Sequence, residues 1–159
     1  MFLKPDYNLK NIYDIDLDEL KAKGINALLF DLDSTLMATK SGAYFEKTIN
    51  WLDKVKQDFF IGIVSNNHNP IYIDKVKSVT KYPIVFNAAK PCTKVAKSFM
   101  DENCIEPSMT AFVGDRPLTD TLCGKLLGCT TILVDSITAD TEKPIVRFVR
   151  KLEWLAVKK

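Results

Sequence analysis

Short apolar runs alternate with amphipathic segments along most of the chain. Each run is four to six residues long and ends abruptly at polar residues, a pattern typical of buried parallel strands. The segments between the runs carry apolar residues at three- and four-residue steps, which predicts helices. The predicted strands are 25–30, 59–64, 83–86, 110–114 and 130–134, and the predicted helices are 44–57, 72–79, 93–101, 119–127 and 144–157.

The alternation of strands and helices predicts an α/β fold. We expect a three-layer, Rossmann-like parallel sheet with right-handed crossovers and helices on both of its faces. The chain has 159 residues, which suits one domain, 1–159, because two halves of this length would each bury too little surface. Within this domain, residues 1–23 are predicted to form a helical N-terminal extension, and 143–159 a basic amphipathic helix.

Composition narrows the possible functions. The hydrophobic fraction of 47% excludes a disordered or low-complexity chain. A net charge of +2 is too balanced to indicate nucleic-acid binding, so a nucleic-acid partner is disfavoured.

Four cysteines and one histidine lack the spacing of a zinc cluster, and scattered unpaired thiols favour a reducing, cytoplasmic compartment. We expect neither a signal peptide nor a membrane span, because no run approaches eighteen apolar residues.

Polar groups directly follow four of the predicted strands. They are Asp31, Ser65, Asn87 with nearby Lys90, and Asp115. In parallel sheets ligands bind outside the carboxyl ends of the strands, so these side chains are expected to share one crevice. Asp31 and Asp33 stand two residues apart, and in an extended chain both face the same way. Taken alone, that pair is equally typical of solvated turn residues, but the other strand-end groups favour a shared site.

These polar groups resemble the four motifs of the haloacid dehalogenase (HAD) superfamily of phosphate-transferring enzymes. The resemblance extends from about residue 24 to about residue 135, and the motifs occur in the same order, each at a strand end. The matching residues are, motif by motif, Asp31, Asp33 and Thr35 (D-x-D-x-T); Ser65; Lys90; and Gly114, Asp115, Thr119 and Asp120 (G-D-x-x-x-T-D).

The resemblance implies a phosphatase in which Asp31 attacks phosphorus and forms an aspartyl-phosphate that water then cleaves. Asp33 is implied as the general acid that protonates the leaving oxygen and then takes a proton from water. Thr35 is expected to brace Asp33, and Lys90 to balance charge as a further catalytic residue. The implied phosphate-binding residues are Ser65, Asn66, Thr35 and Lys90.

The resemblance also implies Mg²⁺ as the cofactor. An anionic phosphate repels a carboxylate nucleophile, and a hard cation with oxygen ligands removes that repulsion. By resemblance, Asp31 and Asp115 bind the ion directly, Asp33 contributes its backbone carbonyl, and Asp120 orders the surrounding groups or the lysine. Arg116, beside Asp115, is either a substrate-binding cation or an ordinary surface residue.

Neither interval between the first three motifs has room for the cap domain that many HAD enzymes carry. Thr35 to Ser65 spans thirty residues, enough for a flap and one helix, and Ser65 to Lys90 spans twenty-five, enough for one helix and one short strand. We therefore expect an open site. An open site favours a phosphate carried by a large partner: a protein, a nucleic acid, or a lipid at a membrane surface.

The C-terminal helix carries two contrasting faces. Its apolar face comprises Ile145, Phe148, Val149, Leu152, Leu155 and Ala156, and the opposite face comprises Arg147, Arg150, Lys151 and Lys158, with Trp154 in its middle. The simpler interpretation is a helix whose apolar face packs on the sheet and whose basic face is solvated. Cations beside a tryptophan are also attracted to an anionic membrane surface, so peripheral membrane contact is a compatible alternative.

The N-terminal stretch, the Ser65-Asn66-Asn67 turn and the basic tail are similar to the YqeG-like branch of the superfamily, which is related to phosphatidylglycerophosphate phosphatases. This resemblance implies phosphatidylglycerophosphate, an anionic phospholipid, as the substrate. It also implies a cytoplasmic location with peripheral contact at the inner membrane face. Two alternatives stay open: a phosphatase for a protein, nucleic acid or other soluble phosphomonoester, and a non-catalytic scaffold that keeps the HAD fold.

Overall fold

A six-stranded parallel sheet forms the centre of the molecule. The computed structural model describes residues 3–139 and 143–158, with the backbone alone for 156–158. The strands lie in the order β1-β6-β5-β2-β3-β4, and each neighbouring pair is parallel. They are β1 (Tyr7–Leu9), β2 (Ala27–Phe30), β3 (Phe60–Val64), β4 (Ile84–Val85), β5 (Thr110–Gly114) and β6 (Thr130–Val134).

Helices connect and flank these strands. They are α1 (Leu17–Ala22), α2 (Glu46–Val55), α3 (Pro70–Val79), α4 (Lys94–Glu102), α5 (Leu122–Leu127) and α6 (Pro144–Lys158). Short 3₁₀ turns occur at Ile12–Asp14 and Pro107–Met109, and a π-helical turn at Pro117–Thr121. The observed elements confirm the predicted α/β class and its parallel sheet.

Hydrophobic side chains cover both faces of the sheet, because successive residues of a strand point to opposite sides. In β2, Leu28 and Phe30 join one buried cluster, whereas Ala27 and Leu29 join the other. The first cluster includes side chains from α1, α2 and α3, and the second includes side chains from α4 and α5. The three predicted layers are therefore present, and burial on both faces explains why the central strands are continuous apolar runs.

The N-terminal segment is only partly helical, so the prediction of a helical extension over 1–23 is wrong for one stretch. β1 pairs with β6 and forms the edge of the sheet. The Asp6 carboxylate anchors it, because Asp6 Oδ2 accepts hydrogen bonds from the Thr131 amide (2.8 Å) and hydroxyl (2.9 Å). A three-residue strand has too few positions to show a period of two, and its partner lies far away along the chain.

No cap domain covers the carboxyl edge of the sheet within the described residues. The interval after β2 holds a flap, in which short β-bridges pair Met37 with Asp33 and with Tyr44, and then α2. The interval after β3 holds α3 and β4. Instead of a cap, α6 lies at this edge and packs on the π-helical turn.

α6 is a helix, as predicted, but its apolar face is not packed on the sheet, as the simpler interpretation expected. The aliphatic and phenylalanine side chains from Ile145 to Leu155 are between 40% and 66% exposed, whereas Arg150, predicted on the solvated face, points inward. The predicted positions of the Ala156 and Lys158 side chains lie outside the described residues. In the part of the chain that is described, no helix has both the length and the apolar character needed to cross a membrane.

Candidate active site

A pocket of about 370 Å³ opens at the carboxyl edge of the sheet. Because β2, β3 and β5 are adjacent and parallel, their carboxyl ends carry the residues that follow them to the same place. The motif residues on the pocket wall are Asp31, Asp33, Ser65, Asn66, Lys90, Asp115, Thr119 and Asp120. Asn87 is not among the described lining residues, and its amide instead donates to the Asn67 carbonyl at 2.9 Å.

Lys90 occupies the centre of this cluster. Its Nζ lies 2.7 Å from Asp31 Oδ1 and 2.7 Å from Asp120 Oδ1, and its side chain is only 1% exposed. The Asn66 side chain holds the Lys90 backbone from both sides: Oδ1 accepts from the Lys90 amide (2.7 Å) and Nδ2 donates to the Lys90 carbonyl (3.1 Å). Asn66 therefore positions the lysine, a contact that the sequence motif did not indicate.

Asp120 packs directly over Gly114. A Cβ at Gly114 would lie 2.3 Å from the Asp120 Cβ, so the glycine of the fourth motif is required by this close approach. Asp120 Oδ1 accepts from Lys90, and Oδ2 accepts from the Arg116 amide at 3.1 Å. Since both carboxylate oxygens are engaged, Asp120 orients the lysine and the turn that follows β5.

Asp115 is buried, and two residues contact its carboxylate. The Thr35 hydroxyl donates to Oδ1 at 3.3 Å, and Arg150 Nη2 of α6 lies 2.5 Å from Oδ2. Thr35 is thus directed towards Asp115, which corrects the expectation that it braces Asp33. Thr35 was also predicted to bind phosphate, but it is not among the described residues that line the pocket. The contact from Arg150 was not predicted, because the helical pattern placed this residue on a solvated face.

Tyr72, and not Thr35, contacts the carboxylate of Asp33. Asp33 Oδ1 accepts hydrogen bonds from the Tyr72 hydroxyl (2.6 Å) and from the Lys40 amide of the flap (2.9 Å). Tyr72 reaches the site because α3 begins at the carboxyl edge, where the Asn69 side chain caps its first turn. In the sequence, Tyr72 was only the first residue of the predicted helix 72–79, and this did not indicate a contact with Asp33.

Ser65 follows β3 and is buried in the pocket wall. Its amide continues the ladder by donating to the Val85 carbonyl (2.9 Å), and its Oγ accepts from the Asn67 amide (3.1 Å). A hydroxyl that accepts one hydrogen bond still has its own proton to donate. Ser65 can therefore donate to an anion in the pocket.

Burial and neighbouring charges shift the pKa values of three groups in the cluster. Burial raises the pKa of Asp31 to about 7, against the opposing influence of Lys90. Burial and the charges of Asp31 and Asp120 likewise raise the pKa of Asp115 well above its ordinary value. Burial alone would lower the pKa of Lys90, but the two carboxylates beside it outweigh burial and raise it.

The same cluster fits a divalent metal ion. Asp31, Asp115 and Asp120 each offer a carboxylate oxygen, and these oxygens lie within 4.8 Å of one another. Asp115 Oδ2 is buried and accepts no hydrogen bond from the described residues, and Arg150 Nη2 lies 2.5 Å from it. Carboxylate oxygens of this kind are the ligands that hard cations such as Mg²⁺ prefer.

Solved structures share this architecture. The chain is similar to a HAD phosphatase from Thermococcus onnurineus, with a TM-score of 0.61 and 14% identity over 83% of this chain and 98% of that one. It is also similar to a HAD family enzyme from Bacteroides thetaiotaomicron solved as a magnesium complex, with a TM-score of 0.53 and 16% identity over 79% and 99% of the two chains. At these identities the likeness shows the fold. Together, the fold and the strand-end residues define a phosphatase of the HAD type.

Sequence comparison gives a narrower assignment. Residues 1–138 match the family model described as mitochondrial PGP phosphatase, and the chain belongs to that family. It is 28% identical to probable phosphatase YqeG of Bacillus subtilis over 152 residues, 96% of this chain and 88% of that protein. It is 26% identical to phosphatidylglycerophosphate phosphatase 1, chloroplastic/mitochondrial, of Arabidopsis thaliana over an alignment of 167 residues, gaps included. This alignment covers 99% of this chain and 48% of that protein. The predicted resemblance and the enzyme class are confirmed.

Proposed function

We propose that this phosphatase is Mg²⁺-dependent and works through an aspartyl-phosphate on Asp31. The observation that carries this proposal is the buried cluster at the sheet edge, in which Lys90 lies 2.7 Å from both Asp31 and Asp120 and Asp115 faces the same pocket. Asp31 and Asp115 would hold the ion, with the Asp33 carbonyl as a further ligand. The ion supplies charge neutralisation, which lets a carboxylate approach an anionic phosphate.

The first step transfers the phosphoryl group to the protein. A carboxylate oxygen of Asp31 attacks phosphorus, the bond from phosphorus to the substrate oxygen breaks, and Asp33 donates a proton to that leaving oxygen. Ser65, the Asn66 amide and Lys90 hold the phosphoryl oxygens during the transfer. The hydrogen bonds from Tyr72 and the Lys40 amide keep the Asp33 carboxyl in one orientation for this proton transfer.

The second step releases phosphate. Water attacks phosphorus, Asp33 takes the proton of that water, and the bond between phosphorus and the Asp31 oxygen breaks. Inorganic phosphate leaves, and Asp31 returns to its carboxylate form. Asp120 acts through Lys90, because one of its oxygens binds the lysine and the other binds the Arg116 amide.

We propose phosphatidylglycerophosphate as the substrate, within phospholipid metabolism. The family and the Arabidopsis relative support this choice, although the chain spans about half the length of that relative. The pocket supports it chemically, because apolar side chains of α6 (Ile145, Val146 and Val149) stand beside the acidic cluster. A site that joins a phosphate-binding region to an apolar wall suits a phosphorylated lipid, and we place the chain at the cytoplasmic surface of a membrane.

A substrate panel tests this proposal. Phosphate release is measured with Mg²⁺ on phosphatidylglycerophosphate in mixed micelles, a phosphopeptide, a 3′-phosphorylated oligonucleotide and an aryl phosphate. We expect the highest kcat/KM on the lipid and no turnover by Asp31→Asn with an unchanged circular dichroism spectrum. Equal or faster hydrolysis of a soluble substrate would refute the lipid assignment, and no turnover of any of the four would favour a non-catalytic scaffold.

A further inference from the structure

α6 presents three different surfaces. The first carries Arg150 and Glu153, which are turned inward towards the catalytic edge. The second carries the exposed cations Arg147 and Lys151. The third is an apolar stripe with the three- and four-residue spacing of one helix face, made of Ile145, Phe148, Val149, Leu152 and Leu155, and it is exposed along its length.

Ion pairs, rather than apolar packing, hold α6 in this orientation. Arg150 Nη2 lies 2.5 Å from Asp115 Oδ2, and Arg116 Nη2 lies 2.6 Å from Glu153 Oε1. None of the described side chains of α6 belongs to either hydrophobic cluster of the core. An amphipathic helix usually gains its stability by burying its apolar face, and here that face points outward.

Further apolar side chains are exposed at the same edge of the sheet. Ile71 is 83% exposed in the first turn of α3, and Leu118 is 41% exposed in the π-helical turn after β5. Both turns begin just beyond the carboxyl ends of their strands. Val149 belongs both to the apolar stripe and to the wall of the pocket that contains Asp31 and Ser65. The apolar stripe of α6 is thus continuous with the wall of the pocket.

We infer that the apolar stripe of α6 docks on the surface of an anionic lipid bilayer. The charges on α6 favour an anionic bilayer as the binding partner, because Arg147 and Lys151 lie next to the stripe and can contact anionic headgroups. An apolar helix face bordered by cations is the pattern of helices that lie in the membrane interface. Docking in this orientation turns the pocket towards the headgroups, and the inference rests on the proposed function for its lipid substrate.

Vesicle flotation of the full chain tests the docking surface. The vesicles are phosphatidylcholine alone, or equal parts of phosphatidylcholine and phosphatidylglycerol. The stripe variant replaces two exposed residues, Phe148→Ser with Leu152→Ser, neither of which lines the pocket. The matched control replaces two equally exposed apolar residues on other helices, Val79→Ser with Leu126→Ser. Circular dichroism and light scattering establish the fold and the oligomeric state of each protein.

We expect the wild type and the control to bind the anionic vesicles, and the stripe variant to bind about tenfold more weakly or worse. In the stripe variant, the rate of lipid hydrolysis relative to that of aryl phosphate hydrolysis should also fall. The docking inference is wrong if the wild type does not float, or if the stripe variant floats equally well, even where phosphatidylglycerophosphate in detergent is hydrolysed. Flotation without hydrolysis of that lipid supports docking and refutes the proposed substrate. A wild-type dimer that fails to float and that the stripe substitutions dissociate would assign the stripe to a second copy instead.

Discussion

Lys90 provides the buried positive charge between Asp31 and Asp120, so its replacement is a demanding test of the site. Its Nζ lies 2.7 Å from an oxygen of each carboxylate. These carboxylates keep the pKa of Lys90 above its ordinary value although burial acts to lower it, so the lysine is charged. Lys90→Met keeps the apolar stem of the side chain and removes the charge together with the hydrogen bonds to Asp31 and Asp120.

We expect the metal-free Lys90→Met variant to lose about 3–5 kcal/mol of unfolding free energy, because the buried Asp120 and the partly buried Asp31 lose their shared partner. The loss depends on pH. Burial raises the pKa of Asp31 to about 7 in the folded wild type, so its contribution to stability is greatest at low pH and is lost as the pH rises through that value. Without Lys90 the pKa of Asp31 rises further. The free energy of unfolding of the variant therefore still falls with rising pH above about pH 7, where that of the wild type no longer does.

Urea unfolding in the presence of a chelator, followed by circular dichroism, measures this difference. The stability gap between wild type and variant should widen from about pH 6 to about pH 8. Lys97→Met is the control, because Lys97 pairs with Asp101 on the exposed side of α4 and its loss should have a small effect at either pH. A gap that is absent, or that narrows as the pH rises, would refute the assignment of Lys90 as the charge that balances the buried carboxylates.

Three further predictions follow from the geometry of the pocket. Tyr72→Phe should lower kcat on an aryl phosphate about tenfold with little change in KM, because Asp33 loses a donor worth about 1.5 kcal/mol; an unchanged kcat would contradict this role. Mg²⁺ should raise the melting temperature more at about pH 8 than at about pH 6, because protons compete for Asp31, whose pKa is raised to about 7; equal shifts would contradict it. Arg150→Gln should tighten Mg²⁺ binding about tenfold in calorimetry by removing a competing cation, whereas Arg147→Gln on the exposed side should not; equal effects would exclude such competition.

The strand-end residues could be predicted from the sequence because local pattern and topology agree there. Asp31, Ser65 and Asp115 each follow a continuous apolar run, and an all-parallel sheet brings the ends of such runs to one edge. The motif order then identifies Lys90, whose loop follows the fourth strand. No tertiary detail was needed for these residues to be placed together.

The remaining contacts depend on three-dimensional packing that the local pattern does not show. Tyr72 has the pattern of a buried helix residue, and its hydroxyl meets Asp33 only through the tertiary arrangement of α3 and the flap. Thr35 is close to Asp33 along the chain yet donates to Asp115 across the sheet edge. The periodicity of α6 predicts burial of its apolar face, but the charge of Asp115 attracts Arg150 and turns that face outward.

Identification of the phosphorylated residue tests the central claim most directly. The protein is mixed with Mg²⁺ and an aryl phosphate, quenched in acid, and digested for mass spectrometry of the peptide that contains Asp31. The mechanism predicts one phosphoryl group on Asp31, in greater amount in Asp33→Asn because the second step then lacks its base, and none in Asp31→Asn. A phosphoryl group on another residue, or wild-type turnover by Asp31→Asn, would contradict the mechanism.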